Sequence, residues 1–104
     1  MKIYISGKIS DLPYNEVVEK FNFHSDFLEL KGYEVVNPIT ISPYSPEKQW
    51  HDYMLEDIKE LFNCEAIYML KDWGISRGAR IEYNIAQEMK LRIHFEGEFI
   101  PDEN

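Results

Sequence analysis

Hydrophobic and polar positions along this chain alternate between two periods, which predicts strands and helices in turn. Short apolar runs rich in β-branched and aromatic residues predict strands at Lys2–Ser6, Tyr33–Pro38, Ala66–Leu70 and Leu91–Phe95. Apolar residues three and four positions apart predict helices at Tyr14–Lys31, from Pro46 or Gln49 to Asn63, and at Ser76–Lys90. This alternation predicts an α/β fold over residues 1–104: one flavodoxin- or Rossmann-like domain with a parallel sheet of four or five strands and helices on both faces.

Local signals mark the ends of these elements. Pro13 suits the start of the first helix, with Asp11 upstream as a candidate N-cap, and Gly32 supplies its C-terminal stop. The segment "ITISPYSPEKQ" contains two prolines and predicts an irregular loop of the kind that often covers a site.

The last nine residues carry little structural signal. Residues 96–104 are mostly polar, and we expect a loosely held tail there. Phe99 and Ile100 are the two residues of this tail that could dock against the body of the domain.

The predicted topology indicates where a ligand would bind. In open parallel sheets, ligands bind beyond the carboxyl ends of the strands, at the point where the strand order reverses. Those ends are expected at Ser6–Gly7, Asn37–Pro38 and Leu70–Lys71, and the loops that follow them carry the polar candidates.

Two carboxylates interrupt otherwise apolar helical faces. Glu82 lies on the apolar face of the last helix, and Asp57 lies in the middle of the apolar stripe of the preceding one. An ionised carboxylate that is removed from water costs several kcal/mol unless it is paired or hydrogen-bonded. The two acids are therefore either buried partners of Arg77 and Arg80 or a pair used in chemistry, and spacing alone favours neither. Tyr4 carries a hydroxyl in a strand expected to be covered on both faces, and it can point toward Glu82.

Two turns that precede helices contain glycine and are expected at the same edge of the sheet. "ISGKIS" has neither the GxGxxG nor the Walker spacing, but Gly7 permits a close backbone approach, and Lys8 and Ser10 could hold an anion at the helix start. "SRGA" repeats the arrangement with Ser76 and Gly78. Each turn alone is more often a simple cap; two at one edge favour an anion site.

Composition excludes several classes of function. The 104 residues are 44% hydrophobic and 14% aromatic, which is typical of a folded domain with a core. A net charge of −8 leaves no basic surface for polymeric nucleic acid, whereas one nucleotide needs only a local pocket. The sequence shows no membrane-length apolar run and no signal peptide, and its single cysteine fits a reducing interior. We therefore expect a cytoplasmic protein with no membrane partner.

Metal and thiol chemistry are not predicted. His24, His51 and His94 are scattered without the spacing of metal ligands. Cys64 has no base partner in its neighbourhood and is better interpreted as a buried structural thiol.

Three segments in order resemble the nucleoside 2-deoxyribosyltransferase family, including its branch of 2′-deoxynucleoside 5′-phosphate N-hydrolases. They are "IYISGKIS", "DIKELFNCEAIYML" and "SRGARIEYNIA". The last has the spacing of that family, with Ser76, Gly78 two positions later and Glu82 six positions later. The resemblance covers most of the chain, which looks most similar to a small, poorly characterised branch.

The resemblance implies cleavage or exchange of an N-glycosidic bond, without a cofactor. Its catalytic residues would be Glu82 as the nucleophile that forms a covalent glycosyl-enzyme, Asp57 as the proton donor to the leaving base, and Tyr4 as the hydrogen-bond donor that aligns Glu82. Other residues would bind the nucleoside or nucleotide substrate, some of them at the 5′ end of its sugar or at a 5′-phosphate. They are Ser6, Gly7, Lys8, Ile9, Ser76, Gly78 and Arg77.

The resemblance also implies a homodimer or larger homo-oligomer, because family members often complete the pocket with a neighbouring subunit. Two other functions stay open from the sequence. One is a non-catalytic nucleotide-binding or sensing module with the same pocket. The other is an interaction domain in which Glu82 forms a structural salt bridge.

Overall fold

Four short strands form one parallel sheet in the order β2-β1-β3-β4. The structure is a computed structural model and describes residues 1–103. Its strands are β1 (Lys2–Ser6), β2 (Glu34–Val36), β3 (Ala66–Met69) and β4 (Arg92–Phe95); its α-helices are α1 (Tyr14–Leu30), α2 (Pro38–Ile41), α3 (Trp50–Leu61) and α4 (Arg77–Glu88), with a 3-10 turn at Trp73–Ile75. The predicted α/β fold with a parallel sheet is confirmed, and the sheet has four strands.

The direction of the chain through the sheet places helices on both faces. The chain passes from β1 to β2 through α1 and then returns to the other side of β1 to form β3 and β4. Because parallel crossovers are right-handed, the reversal of direction moves the later helices to the opposite face from α1. The strand order reverses between β1 and β3, and the two carboxyl ends there diverge into different loops.

The two faces of the sheet carry separate apolar cores. On β1, Ile3 and Ile5 point toward α1, whereas Tyr4 belongs to the other core, as strand alternation requires. The buried core on the α1 side comprises Ile3, Ile5, Val17, Phe21, Leu28, Tyr33, Ala66, Tyr68, Leu70 and Ile100. The buried core on the α3 and α4 side comprises Tyr4, Val36, Leu61, Cys64, Ile67, Met69, Ala79 and Ala86.

The segment after β2 differs from the irregular loop predicted from its prolines. Its first residues form α2, whose N-cap is Asn37; the Asn37 Oδ1 accepts a hydrogen bond of 3.1 Å from the Ile39 amide, and Pro38 occupies the first turn. Both are standard signals for a helix start. Residues 43–49 have no helix or strand, as predicted.

The start of α1 is also different in detail. Pro13 occupies the N-cap position, and no side chain caps the helix there. Asp11, the predicted cap, adopts a left-handed backbone conformation with φ of 67° inside the preceding loop. The prediction of an Asp11 cap is therefore wrong.

The polar tail is held more firmly than predicted. Ile100 is 2% exposed in the α1-side core, and the Tyr33 hydroxyl donates to the Pro101 carbonyl at 3.1 Å. The Glu103 amide donates to the Lys31 carbonyl at 2.7 Å. Phe99 remains exposed. None of the helices in residues 1–103 combines the length and the apolar character that a membrane crossing requires.

Candidate active site

A cavity of about 780 Å³ opens at the carboxyl edge of the sheet. Its walls come from the loop after β1, from the segment that joins α2 to α3, from α3 itself and from the first two turns of α4. This is the edge that the sequence predicted, and the volume is in the range of pockets that bind small molecules.

Glu82 lies in the wall of this cavity with both carboxylate oxygens held from behind. The Tyr4 hydroxyl donates to Oε2 at 2.7 Å, and the Ser6 hydroxyl donates to Oε1 at 2.6 Å. Tyr4 and Ser6 are two positions apart on β1 and so point to the same face, toward α4. Neither is more than 1% exposed, and neither lines the cavity. The structure thus brings Tyr4 to Glu82 as predicted.

The surroundings of Glu82 set its protonation. Burial raises its pKa to about 7, and the hydrogen bonds from Ser6 and Tyr4 oppose this rise because they favour the carboxylate. Burial and the neighbouring charge of Glu82 raise the pKa of Tyr4 well above its usual value, so the phenol keeps its proton as a donor. Glu82 can therefore be either charged or neutral near pH 7.

Asp57 is the second buried carboxyl in the cavity wall. It is 5% exposed, and its Oδ1 has no hydrogen-bond partner within residues 1–103. Burial, followed by the charges of Glu82 and Glu56, raises the pKa of Asp57 to about 8, with Lys48 opposing. A buried polar atom without a partner is uncommon and calls for an explanation such as a ligand.

The arginines do not neutralise these acids. In the part of the chain that the structure describes, neither Asp57 nor Glu82 forms a salt bridge. The Arg77 guanidinium lies over the Trp50 ring, 4.3 Å from its centroid, and the Arg80 Nη1 donates to the Gly74 carbonyl at 3.1 Å. The interpretation of Glu82 and Asp57 as members of a salt-bridge network is wrong.

The N-terminus of α4 faces the cavity. Ser76 caps the helix by accepting the Ala79 amide at 3.2 Å, and Ser76, Arg77 and Gly78 all line the cavity. A Cβ on Gly78 would approach the Met54 Sδ to 3.0 Å, so glycine here lets α4 pack closely on α3.

The loop after β1 forms the opposite wall, with Gly7, Lys8 and Ile9 among its lining residues. A Cβ on Gly7 would lie 2.6 Å from the Leu70 Cδ1, so glycine is required by a neighbouring side chain. Ser6 differs from the prediction: it was expected to contact substrate, but its hydroxyl donates to Glu82 and it lies outside the cavity.

Aromatic side chains border the cavity mouth. Trp50 and Tyr53 line it, and the Tyr14 and Tyr44 rings lie 5.7 Å apart at its edge. Trp50 and Tyr53 lie on α3, where helical periodicity does not distinguish a core residue from a cavity residue, and the structure places both on the cavity. Tyr14, the first residue of α1, and Tyr44, in the segment between α2 and α3, were missed, because a residue at a helix start or in a loop has no periodicity that shows which way it points.

The sequence did not indicate two further residues that contact the loop after β1. The Lys20 Nζ lies 2.6 Å from the Asp72 Oδ2, and both side chains hydrogen-bond the backbone of Lys8. No local pattern joins residues 52 positions apart, so no sequence signal could have found this pair.

Other reactive groups lie outside the cavity. Cys64 is buried, and burial raises the pKa of its thiol to about 11, which leaves it protonated. Within residues 1–103, His, Cys, Asp and Glu side chains form no group of three arranged to hold a metal ion.

Comparisons with known proteins agree with this architecture. The structure of a 2-deoxyribosyltransferase from Bacillus psychrosaccharolyticus superimposes on this chain with a TM-score of 0.69 at 14% identity, covering 96% of this chain and 77% of the other. This likeness shows a shared fold. No curated protein sequence matches the chain. A family model matches residues 1–95, and the chain therefore belongs to the family described as "Domain of unknown function (DUF4406)".

Proposed function

We propose that this protein cleaves or exchanges the N-glycosidic bond of a deoxynucleoside or nucleoside, or of its 5′-monophosphate, through a covalent glycosyl-enzyme on Glu82. One observation carries the proposal: Glu82 is buried in the wall of a nucleotide-sized cavity, with each carboxylate oxygen held by a different hydroxyl, and a second, unpaired carboxyl group lines the same cavity.

The first step would form the glycosyl-enzyme. A Glu82 oxygen attacks the anomeric carbon while the bond from that carbon to the base nitrogen breaks. The proton of Asp57 passes to the leaving base, which departs neutral. The developing charge on the sugar lies next to the Glu82 carboxylate, which stabilises it.

The second step would release the sugar. A water molecule, or a nitrogen of a second nucleobase, attacks the anomeric carbon and displaces Glu82 as a carboxylate. The proton of the incoming nucleophile passes to Asp57 and restores its acid form. Two inversions give net retention at the anomeric carbon.

The pKa values support this division of roles. At a pH between these two values, a group with a pKa of about 7 is mostly ionised, as a nucleophile must be, and one with a pKa of about 8 is mostly protonated, as a general acid must be. Glu82 has hydroxyl donors that favour its charge, whereas Asp57 has an oxygen with no partner. These different surroundings support the proposed roles of Glu82 as the nucleophile and Asp57 as the acid.

The cavity walls would divide the substrate between them. The rings at the mouth, among them Trp50 and Tyr53, supply flat apolar surface for a base. The side chain of Lys8 and the N-terminus of α4, with Ser76 and Arg77, supply positive charge for the 5′ end of the sugar or a 5′-phosphate. The fold shared with a 2-deoxyribosyltransferase is consistent with this substrate class.

We extend the proposal to assembly as a homodimer or larger homo-oligomer. The cavity mouth carries exposed apolar side chains: Leu12, Tyr14, Tyr44 and Ile75 are between 38% and 70% exposed. A neighbouring copy that covered them would also enclose the substrate. Sedimentation velocity on the wild-type protein tests this, and a monomer at all concentrations contradicts it.

Base release is the deciding measurement for the reaction. The wild-type protein and Glu82→Gln are incubated with the four 2′-deoxynucleosides, their 5′-monophosphates and the matching ribonucleosides, and free base is quantified by chromatography. We expect release by the wild type and none by Glu82→Gln. Glu88→Gln is the control, because Glu88 is an exposed acid on the same helix.

Each other outcome favours a different function. A wild-type protein that binds a nucleotide but releases no base on long incubation would be a nucleotide-binding or sensing module. A protein that binds none of these compounds would be an interaction domain. A glycosyl adduct on Glu82 detected by mass spectrometry would establish the nucleophile.

A further inference from the structure

We propose that Lys20 and Asp72 are positioning residues that hold the loop after β1 in the geometry that receives the 5′ end of the substrate. The inference rests on the proposed function, because that loop forms one wall of the cavity. Neither Lys20 nor Asp72 lines the cavity, so any effect on substrate must pass through the loop.

Lys20 and Asp72 both hydrogen-bond the main chain of one loop residue, Lys8. The Lys8 amide donates to the Asp72 Oδ1 at 2.9 Å, and the Lys8 carbonyl accepts from the Lys20 Nζ at 2.9 Å. The Lys20 Nζ also lies 2.6 Å from the Asp72 Oδ2, which closes the arrangement. Both main-chain polar groups of Lys8 are therefore occupied, and only its side chain is left to meet a ligand.

The rest of the loop is held by apolar packing rather than by polar contacts. Ile9 packs against the α1-side core, and in the described part of the chain no hydrogen bond joins residues 9–12 to another element. The polar anchoring of this cavity wall therefore depends on the contacts that Lys20 and Asp72 make with Lys8. Hydrogen bonds to charged groups are stronger than those between neutral groups, which suits a single point of attachment.

The pair also sets the distance between the two cavity walls. Lys20 lies on α1, whereas Asp72 lies in the connection from β3 to α4, which leads through Ser76 to Glu82. The Lys8–Asp72 contact therefore spans the gap where the strand order reverses. Because it joins the loop to the segment that carries the nucleophile, it fixes where the 5′ end of a substrate lies relative to Glu82.

Steady-state kinetics on a 2′-deoxynucleoside 5′-monophosphate separates positioning from catalysis. We expect Lys20→Met to raise KM about tenfold and to change kcat less than about threefold, because the hydroxyl donors to Glu82 stay in place. Asp72→Asn keeps an acceptor for the Lys8 amide and loses the charge, whereas Asp72→Ala loses both, so Asp72→Ala should have the larger KM.

Two further variants make the comparison specific. Lys20→Arg retains the charge and should recover most of the affinity. Lys31→Met is the matched control: Lys31 also lies next to an aspartate, Asp102, at 3.6 Å, and it does not line the cavity. Lys31→Met should leave KM unchanged.

Hydrogen exchange of the Lys8 amide gives a readout that does not depend on turnover. It should be slow in the wild-type protein and at least about tenfold faster in Asp72→Ala, with the global unfolding midpoint of the variant little changed. A KM and a Lys8 exchange rate that are unchanged in Lys20→Met and Asp72→Ala overturn the positioning role and leave the proposed function intact.

Failure of the proposed function gives a different pattern. If the wild-type protein releases no base, titration calorimetry of the same monophosphate against the same variants replaces KM with Kd. A Kd that rises about tenfold in Lys20→Met supports the positioning role, and an unchanged Kd, or no binding to the wild type, overturns it.

Discussion

Tyr4 and Glu82 are separated by 78 positions in the chain, and the Tyr4 hydroxyl lies 2.7 Å from the Glu82 Oε2. The contact forms because β1 presents alternate residues to α4, and α4 places Glu82 on the face that it buries. It holds a charged group in a position from which water is largely excluded. The protonation of Glu82 therefore depends on a residue 78 positions away in the sequence.

Removing the Tyr4 hydroxyl tests this dependence. In Tyr4→Phe the Glu82 carboxylate loses a donor that favours its charge, so its pKa should rise above about 7. We expect kcat/KM at pH 7 to fall about ten- to hundredfold and the acidic limb of the pH profile to move to higher pH. Tyr83→Phe is the control, because it removes a hydroxyl from the same helix as Glu82 whose only hydrogen bond in residues 1–103 is an exposed one from Gln87. An acidic limb that stays in place would contradict the role of Tyr4.

The wild-type pH profile should be a narrow bell. Activity should rise with pH as Glu82 ionises near pH 7 and fall as Asp57 loses its proton near pH 8. The kcat/KM measured from pH 5 to pH 10 shows both limbs. Asp57→Asn should lower the maximum and abolish the alkaline limb; an alkaline limb that persists in this variant would assign it to another group.

Stability should respond to pH through Asp57 as well. Its pKa is about 8 in the folded protein and 3.8 in an exposed reference. The folded state therefore retains a proton that the unfolded state releases, and the stabilisation present below pH 4 is lost as pH rises toward 8. Asp57→Asn removes this loss and should be more stable than the wild type at pH 9, by an amount on the order of a few kcal/mol.

Urea unfolding at pH 5, 7 and 9 measures the difference. Asp26→Asn is the control, because it makes the same substitution at an acid that is exposed on α1. Parallel stability curves for Asp57→Asn and the wild type would show that Asp57 is not buried as described.

Gly7 should tolerate no side chain while Leu70 is present. In Gly7→Ala the new Cβ would lie 2.6 to 2.9 Å from three atoms of the Leu70 side chain, which is closer than carbon atoms can approach. We therefore expect the free energy of unfolding to fall by about 1–3 kcal/mol. Gly74→Ala is the control, since nothing lies near that position. In a Leu70→Ala background, Gly7→Ala should lower the free energy of unfolding by less than it does in the wild type. If the effects of the two substitutions simply add, the side chains at positions 7 and 70 do not collide.

The two apolar residues of the tail should differ sharply. Ile100 is 2% exposed and Phe99 is 86% exposed. Ile100→Ala should therefore cost about 2–5 kcal/mol of unfolding free energy, whereas Phe99→Ala should change it by less than about 0.5 kcal/mol. Denaturant unfolding measures both, and equal effects would mean that the tail does not dock as described.

Periodicity predicted the sheet and its helices because both depend on which face of an element is apolar. The same reasoning placed Tyr4 next to Glu82, since a hydroxyl in a buried strand needs a partner. The resemblance, not periodicity, implied that Ser6 contacts substrate, whereas its alternation with Tyr4 along β1 points its side chain toward Glu82. That alternation was visible in the sequence and would have found the second donor to Glu82.

Other features could not be found from the sequence, because they depend on tertiary contacts. Whether Arg77 would pair with an acid or lie on Trp50 depends on how α3 and α4 cross. The Lys20–Asp72 pair needs α1 and the loop after β3 to meet at the edge of the sheet. By contrast, the sequence does contain a signal for α2, because Asn37 followed by Pro38 is a standard helix start. The later prolines of the segment led to the prediction of an irregular loop instead.

The strand order has a consequence for the newly synthesised protein. The strand that carries Tyr4 and Ser6 is synthesised before the other three strands, and it lies in the middle of the finished sheet, between β2 and β3. Its partner Glu82 is translated 78 residues after Tyr4. A nascent chain that ends before α4 therefore exposes a central strand with two unsatisfied hydroxyls and has no assembled pair of acids. Such an intermediate would be a target for chaperones, and the long loop that the contact must close would slow folding.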